Sequence, residues 1–327
     1  MECGEHGVIQ VTVPWAEPRS RFTLWFERFA IDVLRQCDVS GATRILRISW
    51  DEAWGVMQRT VTRGRARKPG RGGRRIGVDE KAAAKGHRDL TLVCDLDEGT
   101  VEYIAEDRTQ ESLEGYYAGL TQEQLDGLEA VAMDMWEPYI QATRATVPAA
   151  AAKIVFDRFH VMGHIGKAVD TVRKHEHQAL MASGDETLKG SKYLWLYSRE
   201  NVPERRHDEF AALMRQDLKV GRAWAIKEAL RRLWHYVYPA SGWKFWKRWY
   251  FWATHSQLEP IRKAAETVRR HIDNILTYYQ HPVTNAMSEG LNSQIQKIKS
   301  MACGFRNIEH FKTAIYFRCG GLDLYPC

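Results

Sequence analysis

Between Arg74 and Phe159 the apolar runs are short, and three of them run into a carboxylate. RIGVDE reaches Asp79, LEAVAMDMW passes through Asp134, and KIVFDRF passes through Asp157. Apolar runs of about four to eight residues bounded by turn formers read as strands, because buried helices need longer ones. DLTLVCDLDEGTVEYIAEDR adds two strands joined at Asp97-Glu98-Gly99, while TQESLEGYYAGL and YIQATRATVPAAA carry helical periodicity. The order strand, hairpin, helix, strand, helix, strand predicts an α/β layer on a mixed sheet, with a hairpin first and βαβ crossovers after it. A carboxylate beside an apolar strand costs free energy unless it is paired or binds a cation, so the strand-end acids are the first candidates for chemistry.

After His160 the pattern is helical up to about residue 317, and seven of the twelve Trp fall between Trp195 and Trp252. Strands have stopped, which predicts an all-α insertion. Near the end, TNAMSEGLNSQIQKIKSM places Met287, Leu291, Ile295 and Ile298 on one apolar stripe, with Glu289, Asn292, Ser293 and Gln296 on the other side. Two strand-borne acids, Asp79 and Asp134, converging with helix-borne Glu289 would suit two Mg2+ or Mn2+ ions, which take hard oxygen ligands and act on phosphorus. Asp157 and His160 are rivals for the second position and rank behind Asp134, as groups that orient a ligand. Asp95 and Asp97 read as solvated hairpin-tip acids.

The N-terminal part predicts FTLWFERFAIDVLRQC, SGATRILR and SWDEAWGVMQRTV as three helices, the last opened by a Ser49/Glu52 capping box. That outline fits a helix-turn-helix. Directly after it, residues 58–75 hold Arg59, Arg63, Arg65, Arg67, Lys68, Arg71, Arg74 and Arg75 and no acid. The net charge of +6 comes from 47 basic and 41 acidic residues; without these eight the chain keeps 39 basic residues, so the whole surplus lies in one segment. A basic linker beside such helices suits phosphate contacts on duplex DNA, and its Gly and Pro content also suits a solvated tether. Cys3 and His6 in CGEHG have the spacing of half a Zn2+ site, without a second ligand pair nearby; a short β segment with incidental Cys and His is the plainer reading.

IGVDE with KGHRDLTLVCDLDEGTV, then AVAMDMWEPY, KIVFDRFHV and TNAMSEGLNSQIQKIKSMACGFRN together resemble the DDE transposases of bacterial insertion sequences, most closely the ISL3 family. The likeness covers about residues 74–318. It implies an RNase H-like mixed-sheet core interrupted by an all-α insertion and preceded by a helix-turn-helix, with Asp79, Asp134 and Glu289 as the metal-binding catalytic triad. It also implies metal-dependent cleavage at the element's ends and strand transfer into target DNA. The partners would be double-stranded DNA, in the form of terminal inverted repeats and target, and at least a second copy of the chain for synapsis. The 155 residues between Asp134 and Glu289 would house the insertion. The expected organisation is 1–20 as the remnant of a zinc-binding region, 21–63 as helix-turn-helix and 64–75 as basic linker. Residues 76–163 then form the first part of the core, 164–280 the insertion, and 281–327 the last helices with Glu289.

Lys297 and Lys299 follow Glu289 on the same helix and are expected to meet phosphates. GWKFWKRWYFW sets Trp243, Trp246, Trp249 and Trp252 three apart, with Lys244, Lys247 and Arg248 between them. A core helix of the insertion is the favoured reading, and stacking of one or two rings on unpaired bases is the functional one. No apolar run reaches the 18 or so residues of a membrane helix. The N-terminus carries no secretory signal and the six Cys are scattered, so a cytoplasmic protein with reduced thiols is expected. Two rival functions remain: a DNA-binding regulator with a degenerate core, and an RNase H-like nuclease without strand transfer.

Overall fold

The computed structural model describes residues 2–4, 7–8, 13–17, 20–68, 70, 72–84, 88–283 and 286–327. The chain divides into two compact units, Met1–Gly127 with Ala286–Cys327, and Leu128–Asn285.

The first unit begins with a two-residue pair, β1 (Glu2–Cys3) and β2 (Gly7–Val8). Helices α1 (Leu24–Gln36), α2 (Val39–Leu46) and α3 (Trp50–Arg67) follow. Each starts where a side chain accepts from a free backbone N–H: Thr23 from Phe26, Asp38 from Gly41, and Ser49 from Glu52. Glu52 returns a carboxylate to the Ser49 N–H at 2.8 Å, so the expected capping box is present. Strands β3 (Arg75–Ala84), β4 (Arg88–Asp95) and β5 (Thr100–Glu106) form an antiparallel ladder in which Asp79 faces Leu92. The hairpin between β4 and β5 turns where expected, with Gly99 at φ +68°. Asp95 is buried there rather than solvated. Its carboxylate accepts from the N–H groups of Asp97 and Glu98, and the turn needs it inside. Helices α4 (Gln110–Tyr117) and α5 (Gln122–Gly127) precede the break to the second unit. On the far side of that break, α15 (Ala286–Met301) and α16 (Ile308–Cys319) complete the first.

The three N-terminal helices do not form a head on a tether. Ala30, Ile31, Leu34, Trp54, Met57 and Val61 share one core with Leu90, Leu92, Ile104, Leu291, Ile295, Phe311 and Ile315. Helix α3 continues past residue 63 to Arg67, and its buried positions, from Ala53 to Gly64, form one broad inward face. Residues 64–67 of the expected 64–75 linker are thereby helix, and Arg75 opens β3.

In the second unit β6 (Ala130–Met133) and β7 (Ile154–Phe156) run parallel, with Met133 beside Phe156. All seven residues are buried, as a strand covered on both faces must be. Helices α6 (Glu137–Thr146) and α7 (Ala150–Lys153) make the crossover that a parallel pair requires. α8 (Arg158–Ala182) then runs unbroken through the boundary expected at 163. The remainder is helical: α9 (Lys192–Leu196), α10 (His207–Met214), α11 (Lys219–Leu230), α12 (Pro239–Thr254), α13 (Glu259–Arg270) and α14 (Ile272–Leu276). Buried indoles with a bonded N–H anchor this part: Trp195 donates to Ser191 Oγ, Trp224 to the Tyr197 carbonyl and Trp249 to the Ile226 carbonyl. The fold is therefore mixed α/β, with antiparallel and parallel strands and a long all-α segment, as the periodicity predicts.

Candidate functional site

Strand β3 alternates between two faces. Ile76, Val78 and Glu80 lie on one, and Gly77, Asp79 and Lys81 on the other. Helix α15 packs along the second face. A Cβ at Gly77 would stand 2.7 Å from Ser288 Oγ and 2.9 Å from Leu96 Cδ2, so only glycine lets the helix approach this closely. One turn further on, Asn292 Nδ2 donates to Asp79 Oδ2 at 2.5 Å. Lys81 Nζ then reaches the Asn292 carbonyl at 3.3 Å, and Lys299 Nζ the Ala82 carbonyl at 2.8 Å. The other Asp79 oxygen accepts from the Glu80 N–H at 2.8 Å.

Glu289 sits three residues before Asn292 on this helix, and residues three apart share a face. It is exposed, one turn from the group that holds Asp79. The inward stripe of α15 is Ser288, Leu291, Ile295 and Ile298, so Met287 is not its first member as the spacing predicts. At 43% exposure, Met287 instead lies over the hairpin, where its Cε would meet a Cβ at Gly99. Lys81 is the residue that sequence reasoning missed. Its signal is the period of two that puts it on the face of Asp79. Burial pulls its ammonium below the ordinary lysine range, with Lys299 adding to that pull and Asp79 opposing it.

In the second unit Asp134 and Asp157 each follow directly on a strand of the parallel pair. The Asp157 N–H donates to the Met133 carbonyl at 2.9 Å, which carries the register one step past Met133 and Phe156 and sets the two acids at the same end. This carboxyl end of parallel strands is where α/β sheets present ligand groups. Asp134 accepts from the Trp136 N–H at 3.0 Å. Asp157 caps α8 through the Phe159 N–H and stands 3.7 Å from His160 Nε2. Partial burial, with Lys167 and His160 alongside, pushes His164 below the usual histidine range, and Asp134 opposes that shift.

Among the described residues, no three His, Cys, Asp or Glu side chains stand together as a ready cage for an ion. The donor chemistry fits Mg2+ or Mn2+ all the same. Mg2+ is commonly held by one or two carboxylates, with water and substrate phosphate completing the shell, and Asp79 and Glu289 are hard oxygen donors on one face of the first unit. His6, Arg71 and the side chain of Cys3 lie outside the described residues.

Most of the basic segment is engaged within the chain. Arg59 Nε donates to Glu27 at 2.8 Å, and Arg63 bonds Glu17 and the Leu324 carbonyl while lying 3.6 Å from Glu27. Arg67 reaches the Tyr325 carbonyl and Asp323, Lys68 reaches Glu102 and the Gly320 carbonyl, and Arg75 reaches Asp97. The Arg65 guanidinium lies 4.5 Å from the Tyr316 ring. Arg74 is exposed. Of the two later lysines, Lys299 is tied to β3, whereas Lys297 has no partner among the described residues.

Residues 76–315 match the DDE transposase model of the ISL3 type, and residues 11–61 match the helix-turn-helix domain of transposase family ISL3. The chain belongs to the ISL3 transposase family. A relative in Bordetella parapertussis, the transposase for insertion sequence element IS1001, is 30% identical over 239 residues, which are 72% of this chain and 58% of that protein. The transposase for insertion sequence element IS1557 of Mycobacterium tuberculosis is 24% identical over 331 residues, spanning 94% of this chain and 74% of its own. This ISL3-family chain thus spans somewhat more than half the length of the first relative. The family model takes in Asp79, Asp134, Asp157 and Glu289 alike. No helix of the described residues is long and apolar enough to cross a membrane.

Proposed function

We propose that this chain cuts DNA at the ends of an insertion sequence and joins the freed ends to target DNA. Water would displace the 3′ oxygen of a phosphodiester, leaving a 3′-hydroxyl. That hydroxyl would then attack a target phosphodiester in line. Each step exchanges one P–O bond for another, so neither a covalent protein intermediate nor an outside energy source is required. Asp79, Asp134 and Glu289 would hold two Mg2+ or Mn2+ ions. Bound there, such ions lower the pKa of water and stabilise charge on both the entering and leaving oxygens.

The observation that carries this reading is the Asn292–Asp79 bond, which fixes one oxygen of the strand carboxylate and brings the Glu289 helix to it. The chain's own groups then act by position. The Glu80 and Trp136 N–H groups orient the carboxylates of Asp79 and Asp134. Asn292 keeps α15 against β3, and His160 Nε2 stands beside the Asp157 carboxylate at the strand ends. Lys297, Arg65 and the exposed Arg74 are the proposed phosphate contacts, together with other cations of the basic segment that DNA could draw away from their partners within the chain. The helix-turn-helix would read the terminal repeats, and synapsis of two ends requires at least two copies of the chain.

The test uses duplex DNA carrying the inverted repeats that flank the gene, incubated with Mg2+. Asp79→Asn, Asp134→Asn and Glu289→Gln should each abolish cutting and joining while leaving duplex binding within about twofold. Wild-type-like cutting by any one removes that residue from the triad. Binding without cutting by the unmodified protein would leave a DNA-binding regulator, and cutting without joining a nuclease.

A further inference from the structure

Helix α12 splits cleanly into two faces. Gly242, Trp246, Trp249 and Ala253 are buried, and Trp249 is anchored by its bond to the Ile226 carbonyl. The remaining half of the circumference carries Trp243, Lys244, Lys247, Arg248, Phe251 and Trp252, all exposed. Trp243 is 37% exposed, Phe251 63% and Trp252 45%. At 100° per residue Phe251 lies between Lys247 and Lys244, with Arg248 next to it and the two indoles at the margins. His255 extends the face, its ring stacked on Phe251 at 3.9 Å. Just before the helix, Tyr236, Val237 and Tyr238 are exposed as well.

Two further facts define what such a surface can receive. Residues 231–258 contain no Asp or Glu. Lys244, Lys247 and Arg248 have no hydrogen-bond or ion-pair partner among the described residues, in contrast to most of the basic segment around α3. The helix thus presents unpaired cations interleaved with exposed rings, which asks for an anionic chain with exposed flat faces. Duplex DNA offers phosphates but keeps its bases stacked and paired, so the rings would gain nothing from it. An unpaired strand offers both, because every base has a face to stack and a phosphate beside it. Trp243 and Phe251 are eight residues apart, about 12 Å along the helix, which is room for roughly two unstacked nucleotides.

We propose that the exposed face of α12 binds single-stranded DNA, with Phe251 and Trp252 stacking on bases and Lys244, Lys247 and Arg248 meeting phosphates. The assignment rests on the transposase reading only for the source of that strand, an unpaired stretch next to a cut end. Binding itself can be read without any cleavage.

The probe is a fluorescein-labelled oligodeoxythymidine of about a dozen nucleotides, followed by anisotropy and compared with a duplex of equal length. Phe251→Ala with Trp252→Ala should weaken oligothymidine binding about tenfold or more, from the stacking energy of one or two bases. Duplex binding should stay within about twofold. Lys247→Glu with Arg248→Glu should weaken oligothymidine binding and flatten its salt dependence by about one to two charges. All four side chains are exposed, and an unchanged Trp emission spectrum in the charge-reversal variant reports that Trp246 and Trp249 remain buried. Equal oligothymidine affinity in wild type and both variants would overturn the proposal. So would self-association of the wild type that the ring variant abolishes, because the face would then join two copies. If the protein cuts duplex ends normally while the α12 variants bind the oligomer like wild type, this proposal alone fails. If it never cuts but the variants lose the oligomer, the transposase reading fails and this one stands.

Discussion

Arg63 separates the two uses that the basic segment can have. As a phosphate contact it would cost DNA affinity when lost and leave stability alone. In the structure it is a staple: it bonds Glu17, donates to the Leu324 carbonyl at 2.8 Å and lies 3.6 Å from Glu27, which is 1% exposed. Arg63→Met keeps much of the aliphatic stem and removes the charge. Stranding one member of a buried pair costs about 3–5 kcal/mol. Glu27 retains Arg59, itself partly exposed, so about half that cost applies, roughly 2 kcal/mol. The charge-assisted bond to the Leu324 carbonyl adds about 1 kcal/mol. A loss near 3 kcal/mol corresponds to a fall of about 6–12 °C in the melting temperature for a unit of this size. Calorimetry gives that fall directly, and a duplex salt titration run in parallel should keep its slope. A melting temperature within about 1 °C of wild type, with the salt slope reduced by about one, would refute the staple and restore Arg63 to the DNA surface.

Three further outcomes follow from the packing. Gly77→Ala should cost about 1–3 kcal/mol, since its methyl meets Ser288 and Leu96 at under 3 Å and must push α15 off β3; urea denaturation checks the loss, and an unchanged midpoint would mean that the helix is not held there. Ser49→Ala should cost about 1 kcal/mol through loss of the capping box, measured in the same way. Burial pulls Lys227 down to about 8 from its ordinary 10.5, against the opposing effect of Glu228. The unfolded chain then holds a proton that the folded chain has released between those values, so stability gains with rising pH from about 8 to 10.5. The difference in stability between wild type and Lys227→Met should shift in favour of the wild type across that window, and a constant difference would argue against a depressed Lys227.

What was legible in advance was local. The Ser49/Glu52 capping box joins groups three residues apart, and Gly99 turns the hairpin within its own loop. The strand-end acids were visible because an apolar run stopping at a carboxylate is a feature of neighbours in sequence. Glu289 was assigned to an outward polar face by the helical period, which the packing of Leu291, Ile295 and Ile298 repeats. Lys81 and Met287 went astray at places where one residue of offset decides the environment. A period of two carries Lys81 onto the face of Asp79, and the helix start tips Met287 over the hairpin turn.

By itself, then, the sequence determined the elements, their order and which residues are candidates for chemistry, because propensity, capping and periodicity act over a few residues. It could also say that one segment is strongly basic, but not what its cations would meet. Only the tertiary structure decided that Arg59 and Arg63 would turn inward to Glu27, more than thirty positions away. It likewise decided that Asn292 would find Asp79 across 213 residues. In the Trp-rich helix, the three-residue step was compatible with a wholly buried helix. Packing against Ile226 took Trp249 inside and left Trp252 at the surface. The reason is common to all three. A charge or a ring is a local property, but its partner is whatever chain closure brings within about 4 Å, and the free energy belongs to the pair rather than to either residue alone.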